Sequence, residues 1–206
     1  MAKRCVIISG GDFSPVDRLY ADDFIIACDK GYTYAQRCGI QPDLVVSDFD
    51  SYAGEIAPQI PVETFQSEKD DTDTMIAVRY AVAHGFDEVC LCCALGGRLD
   101  HAFANLQSLV FAQVHGLRAS LEDTGNCVYT LQNGSMHLER REGWSLSVFA
   151  ACDRCEGVSI RGAKYPLTDA VLTCSFPLGV SNAWAEDAVD ISVRDGILLI
   201  ILSRME

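Results

Sequence analysis

The chain has 206 residues, about half of them apolar, and a formal net charge of −13. That length allows one large domain or two small ones. The acidity argues against a nucleic-acid partner or an anionic membrane surface, which call for Lys/Arg patches. No apolar run approaches the ~20 residues of a membrane-spanning helix. The opening residues, Met1-Ala2-Lys3-Arg4-Cys5-Val6-Ile7-Ile8, read as a first strand rather than a signal peptide. The 10 cysteines are expected as reduced thiols in a cytoplasmic protein, several of them buried in β-like runs. Cys152-Asp153-Arg154-Cys155 lacks the second pair a zinc site needs.

Apolar runs rich in β-branched residues recur at 5–9, 24–28, 44–47, 62–65, 89–93 and 118–121. Helical stretches are expected at 31–38, 72–84 and 100–115, with Gly39, Gly85 and Gly116 as stops. Met75, Val78 and Val82 mark an apolar face on the second, and Phe103, Leu106, Leu109 and Val110 one on the third. This alternation predicts an α/β domain over residues 1–124, with a mostly parallel, Rossmann-like sheet flanked by helices. The rhythm then changes. Short strand-like runs at 127–131, 136–140, 145–150, 158–161, 171–176, 189–193 and 197–202 are separated by turn residues. Asn133-Gly134 and Asp195-Gly196 read as hairpin signals. Residues 125–206 therefore read as an antiparallel β-sandwich.

Three acidic segments follow predicted strands. Strand carboxyl ends share one edge of such a sheet, and ligands bind there. In Asp48-Phe49-Asp50-Ser51, alternate residues of an extended chain point the same way, so both carboxylates can face one cation. In Lys69-Asp70-Asp71-Thr72-Asp73-Thr74, the acids exceed what one helix cap needs. Crowded carboxylates are relieved by a hard divalent cation. In Gly96-Gly97-Arg98-Leu99-Asp100-His101, paired glycines allow close backbone approach, a helix start offers N–H groups to an anion, and Arg98 can clamp phosphate oxygens. Asp29-Lys30-Gly31 adds another acid on the same edge. Carboxylates on one side of a Mg²⁺ and phosphates on the other make a phosphoryl-transfer site.

In this order, the segments resemble the thiamine pyrophosphokinase family in its bacterial form. The matching pieces are Ala27 to Gly31, Pro42 to Ser51, Lys69 to Thr74, Leu95 to His101 with Asn105, Lys164-Tyr165-Pro166-Leu167, and Gly179-Val180-Ser181-Asn182. The resemblance implies an N-terminal α/β nucleotide-binding domain and a C-terminal β-sandwich for thiamine binding and dimerisation. It implies a homodimer that moves the terminal diphosphate of ATP to the thiamine hydroxyl with Mg²⁺, leaving AMP. By resemblance, Asp48, Asp50 and Asp73 hold the metal, with Arg98 and Asp100 as further catalytic residues. Asp29, Lys30, Gly31, Lys69, Asp71, Thr72, Arg98, Asp100, His101 and Asn105 line the nucleotide side. Ser51, Lys69, Tyr165, Ser181 and Asn182 face thiamine, with Tyr165 where animal relatives carry a stacking Trp. Two departures stand out: the family usually reads Asp-Gly-Gly where this chain has Asp29-Lys30-Gly31, and Gly in place of Ser47. Lys30 either adds a phosphate contact or narrows the loop.

Two other readings compete. Asp48-x-Asp50 after a strand looks like the nucleophile motif of haloacid-dehalogenase-type phosphatases, although two strands precede it and no later acidic pair is evident. A thiamine- or nucleotide-binding sensor would bind without releasing AMP.

Overall fold

The computed structural model describes residues 2–47, 56–64 and 71–205. The chain divides into two compact units, Met1–Thr124 and Gly125–Glu206.

The first unit contains β1 (Arg4–Ile8), β2 (Phe24–Cys28), α1 (Gly31–Arg37), β3 (Leu44–Ser47), β4 (Val62–Thr64), α2 (Asp73–Ala83), β5 (Glu88–Cys92), α3 (Leu99–Val114) and β6 (Arg118–Glu122). Its strands run in the order β6-β5-β1-β2-β3-β4, all parallel. Cys5, Val6, Ile7 and Ile8 are all fully buried, as expected of a strand covered on both faces. Successive side chains of β1 reach opposite layers. Ile8 packs on Tyr34 and Ala35 of α1, whereas the next residue, Ser9, bonds Thr74 of α2 at 2.9 Å. Right-handed crossovers in opposite directions account for this split. The chain starts at β1, moves outward to β4, then returns to β5 on the other side of β1. The reversal lies between β1 and β5, where open α/β sheets bind ligands.

The helices seat on the sheet through small side chains. The buried residues of α2 are Thr74, Ala77, Val78 and Ala81. Those of α3 are Asn105, Ser108, Leu109 and Ala112. Met75 is only half-buried, and Phe103 is 60% exposed, so the apolar faces expected from the sequence are rotated. Small residues let a helix lie close to the sheet, and the larger ones project to its flanks.

The second unit contains β7 (Asn126–Gln132), β8 (Ser135–Glu139), β9 (Trp144–Ala150), β10 (Arg154–Arg161), β11 (Leu167–Thr173), β12 (Gly179–Asn182), β13 (Ala188–Ser192) and β14 (Ile197–Arg204). β12-β9-β14-β7 and β11-β10-β13-β8 form two antiparallel layers. Leu146, Val148, Leu198 and Ile200 of one layer and Val158, Ile160, Val189 and Ile191 of the other share one core, which makes a sandwich. The two Gly turns are not hairpins. β7 pairs with β14 and β8 with β13, so Asn133-Gly134 and Asp195-Gly196 each carry the chain from one layer to the other. The turn chemistry was legible, with Asn133 at φ 45° and Gly196 at φ 120°. The partner was not: Asn133 Oδ1 accepts the Gly196 N–H at 2.9 Å, so the turns brace each other. β11 also starts and stops earlier than expected, and β12 was read only as a motif.

Candidate active site

Polar and glycine-rich segments gather at the carboxyl ends of β1, β2 and β5. After β1 the chain runs Ser9-Gly10-Gly11-Asp12. It is zipped to the segment after β5 by Gly11 N–H to Cys93 O and Asp12 N–H to Leu95 O, both 2.8 Å. Side chains are excluded where the two loops meet. A Cβ on Gly11 would lie 2.4 Å from Leu95 O, and one on Gly96 2.1 Å from Asp12 Oδ2. Gly96 and Gly97 both take positive φ, 79° and 63°. Their N–H groups have no acceptor among the described residues. They lead directly into α3, whose first N–H groups are free of intrahelical partners by construction. The result is a backbone cradle for an anion.

Arg98 stands at the N-cap of α3 and makes no side-chain cap. Its guanidinium instead holds Asp100, Nε to Oδ1 at 3.1 Å and Nη2 to Oδ2 at 2.5 Å. The Arg98 hydrogen bond, aided by the His101 N–H, lowers the Asp100 carboxyl below its ordinary range. A carboxyl lowered in this way pairs with Arg98 and is a weak proton acceptor. His101 is exposed in the first turn of α3. Asn105 is buried, and its amide donates to Ala94 O at 2.7 Å, so it anchors the cradle from below.

β2 delivers Asp29 in a left-handed backbone conformation, φ 47°, which costs a non-glycine residue strain that tends to gather at functional sites. Its N–H donates to Val46 O and its carbonyl accepts from Tyr32. Its Oδ1 is buried and has no hydrogen-bond partner among the described residues. A buried carboxylate oxygen is costly to leave unmatched, and a cation is the natural match. Gly31 must be glycine, because a Cβ there would lie 2.0 Å from Ile8 O. Lys30 is exposed beside Tyr34, its Nζ 5.2 Å from the ring centre. The Tyr34 hydrogen bond is the largest cause of its raised pKa, with Asp12 and Asp29 contributing.

Asp73 opens α2 beside β2, where the Cys28 thiol donates to its carbonyl at 3.5 Å. Thr72 is the helix cap, its Oγ1 accepting the Met75 N–H at 3.2 Å. Asp71 pairs with Arg79 at 2.6 Å. The structure thus brings Asp29, Lys30, Gly31, Asp71, Thr72, Asp73, Arg98, Asp100, His101 and Asn105 to one end of one unit. Asp48, Asp50, Ser51 and Lys69 lie outside the described residues. The Gly10-Gly11-Asp12 loop escaped the sequence reading. Its signal was a Gly-Gly step after a first strand, the same device as Gly96-Gly97.

In the second unit, Tyr165 is 59% exposed, and Lys164 Nζ stands 5.5 Å from its ring centre. Asn182 is buried and tied to the backbone of Tyr165 and Ala183. Ser181 takes φ 56°, and its N–H donates to Ser147 Oγ at 3.0 Å. The two segments are neighbours, since Lys164 N–H also donates to Ala183 O.

Both units match family models: residues 17–121 match the thiamin pyrophosphokinase catalytic domain, and residues 135–198 its vitamin B1 binding domain. The chain belongs to the thiamin pyrophosphokinase family. It is 28% identical to the thiamine pyrophosphokinase of Bacillus subtilis (strain 168), over 98% of this chain and 99% of that one. The crystal structure of the Bacillus subtilis enzyme superposes with a TM-score of 0.86 at 26% identity, covering 99% of this chain and 100% of that one. The thiamin pyrophosphokinase of Geobacillus thermodenitrificans gives 0.83 at 26% identity, with 97% of each chain covered. No described helix is long and apolar enough to cross a membrane.

Proposed function

We propose that this chain is a thiamine diphosphokinase, transferring the terminal diphosphate of ATP to the hydroxyl of thiamine and releasing AMP. One observation carries the reading. A backbone cradle at Gly96-Gly97 and a buried carboxylate oxygen on Asp29, unpartnered among the described residues, share the sheet edge of a thiamin pyrophosphokinase family fold.

The donor set suits Mg²⁺, a hard cation that takes carboxylate oxygens. Asp48, Asp50 and Asp73 would hold it, with Asp29 on the same edge. The ion supplies neutralisation of the diphosphate charge. The protein's own groups do the rest. The N–H groups of the cradle seat the phosphates. Arg98, held in place by Asp100, faces the charge that spreads over the equatorial oxygens. The thiamine hydroxyl attacks the β-phosphorus in line, the bond to the α-phosphate bridging oxygen breaks, and AMP leaves. Asp73 orients that hydroxyl, and the proton passes to solvent, since Asp100 is committed to Arg98 and a carboxylate that holds the ion is a weak base. Tyr165 and the 179–182 segment provide the thiamine wall, and an aromatic ring suits a flat cationic heterocycle. The working unit is a cytoplasmic homodimer.

The test is to supply ATP, Mg²⁺ and thiamine and measure AMP release with and without thiamine. Thiamine-dependent AMP supports the reading. Thiamine-independent phosphate release points to a phosphatase, and binding without AMP to a sensor. Asp73→Asn should abolish turnover while the circular dichroism spectrum stays unchanged.

A further inference from the structure

We infer that Cys152 and Cys155 form a redox site, a dithiol that small-molecule disulfides oxidise reversibly to an intramolecular disulfide. The pair lies in the second unit, and its chemistry is independent of diphosphate transfer. The two thiols face each other with Sγ atoms 3.4 Å apart. A disulfide needs about 2.05 Å. Small χ1 rotations close that gap, because residues 151–153 form a bend rather than a strand. Cys152 is half-buried and Cys155 fully buried, so one thiol is reachable from solvent and the other waits behind it. Cys90 and Cys92 are also neighbours, but both are buried in β5 and neither is accessible to an oxidant.

The surroundings hold the pair without consuming it. The segment joins β9 to β10, and so one layer of the sandwich to the other. Ala151 N–H donates to Ile197 O and Glu156 N–H to Asp195 O, both at 2.8 Å, so backbone fixes both ends of the segment. Cys155 Sγ donates to the same Ile197 O at 3.1 Å, and Cys152 Sγ to Arg154 O at 3.2 Å. Oxidation removes both S–H donors, yet Ile197 O keeps its Ala151 bond. Behind Cys155 stands Gly196, where a Cβ would lie 2.7 Å from its Sγ. The buried sulfur is thus pressed toward its partner. Burial first, and the Cys152 hydrogen bond second, push the Cys155 thiol up to about 12, which leaves Cys152 as the attacking thiol. No helix starts at this corner to stabilise a thiolate, so the reduced form gains no advantage over the disulfide. Two thiols alone make an incomplete zinc site, and the described residues contain no larger group that could hold a metal.

The chemistry balances. Cys152 loses its proton to solvent, attacks one sulfur of the small disulfide and expels a thiolate. Cys155 then gives up its proton and attacks the Cys152 sulfur of the mixed disulfide, expelling the second thiolate. The protein loses two electrons and two protons, and the small disulfide is reduced to two thiols.

The experiment incubates the full, reduced chain with oxidised glutathione until the exposed Cys174 carries glutathione, and reads peptide masses with and without reductant. The expected peptide spanning 152–155 has lost two hydrogens, carries a Cys152–Cys155 link and reverts on adding dithiothreitol. Cys155→Ser should instead retain glutathione on Cys152, and Cys152→Ser should give neither product at the pair. The wild-type map decides the matter by itself if either variant misfolds. Absence of the link once Cys174 is modified would overturn the assignment. So would glutathione that persists on wild-type Cys152, or a Cys90–Cys92 link that forms first.

Discussion

Asn182 grips Tyr165 by both ends of its peptide unit, Oδ1 accepting the Tyr165 N–H at 2.9 Å and Nδ2 donating to the Tyr165 carbonyl at 2.8 Å. The same Oδ1 also accepts the Ala183 N–H at 2.9 Å. A buried amide thus fixes the backbone of an exposed aromatic residue. Asn182→Ala leaves these groups unmatched and should lower stability by about 1–3 kcal/mol. If Tyr165 is the thiamine platform, the variant should raise the thiamine KM well above any change in the ATP KM. Urea unfolding and a KM comparison check both; equal effects on the two substrates would contradict the positioning role.

Two glycines separate close approach from backbone conformation. Gly39 has φ 70° but open space around its Cβ position, whereas a Cβ on Gly31 would strike a backbone carbonyl at 2.0 Å. Gly39→Ala should cost about 1 kcal/mol through φ alone. Gly31→Ala should cost more than about 2 kcal/mol, because backbone has to move. Denaturant midpoints of the two variants decide it, and a smaller loss at Gly31 would show that the β1–α1 contact is softer than drawn.

His137 faces two carboxylates on the sandwich surface, Nδ1 to Asp190 Oδ1 at 2.8 Å and Nε2 to Glu139 Oε1 at 3.3 Å. The Asp190 bond first, and the Glu139 bond second, raise its pKa above the ordinary 6.5. A folded-state value above the unfolded one stabilises the fold fully below pH 6.5, and the contribution is lost as pH rises through the folded value. The melting temperature of the wild type minus that of His137→Gln should therefore shrink from acid to alkaline pH. A difference that grows with pH would contradict the pairing.

Thiol chemistry should follow burial. Cys174 is exposed, while burial pushes the Cys5 thiol up to about 12 and the Cys28 thiol also upward. Since the thiolate is the reactive species, brief iodoacetamide treatment of native protein should label Cys174 before Cys5 or Cys28. Mass spectrometry of the peptides reports the order. Early labelling of Cys28 would mean that the β2 end opens readily.

The strand pattern of the first unit was legible because buried parallel strands are continuous apolar runs, as in 24–28 and 44–47. The rotation of α2 and α3 was not, because periodicity counts large apolar residues while close packing on a sheet favours Ala and Ser. The Asn133 and Gly196 turns show a related limit. Local backbone demands are written in Asn-Gly and Asp-Gly, but whether the next strand stays in the layer depends on remote pairing. Motif position was enough to put Asp73 at the start of α2 and Arg98 at the start of α3. The Gly10-Gly11-Asp12 loop could not be read this way, because its need for glycine arises only against Leu95 and Gly96, far along the chain.

The most direct measurement is a ³¹P NMR time course of the protein with ATP, Mg²⁺ and thiamine. Transfer of the intact diphosphate predicts that thiamine diphosphate and AMP grow together in equal amounts from the first spectrum. Accumulation of ADP with a thiamine monophosphate resonance would mean that the γ-phosphorus is attacked, and would contradict the account.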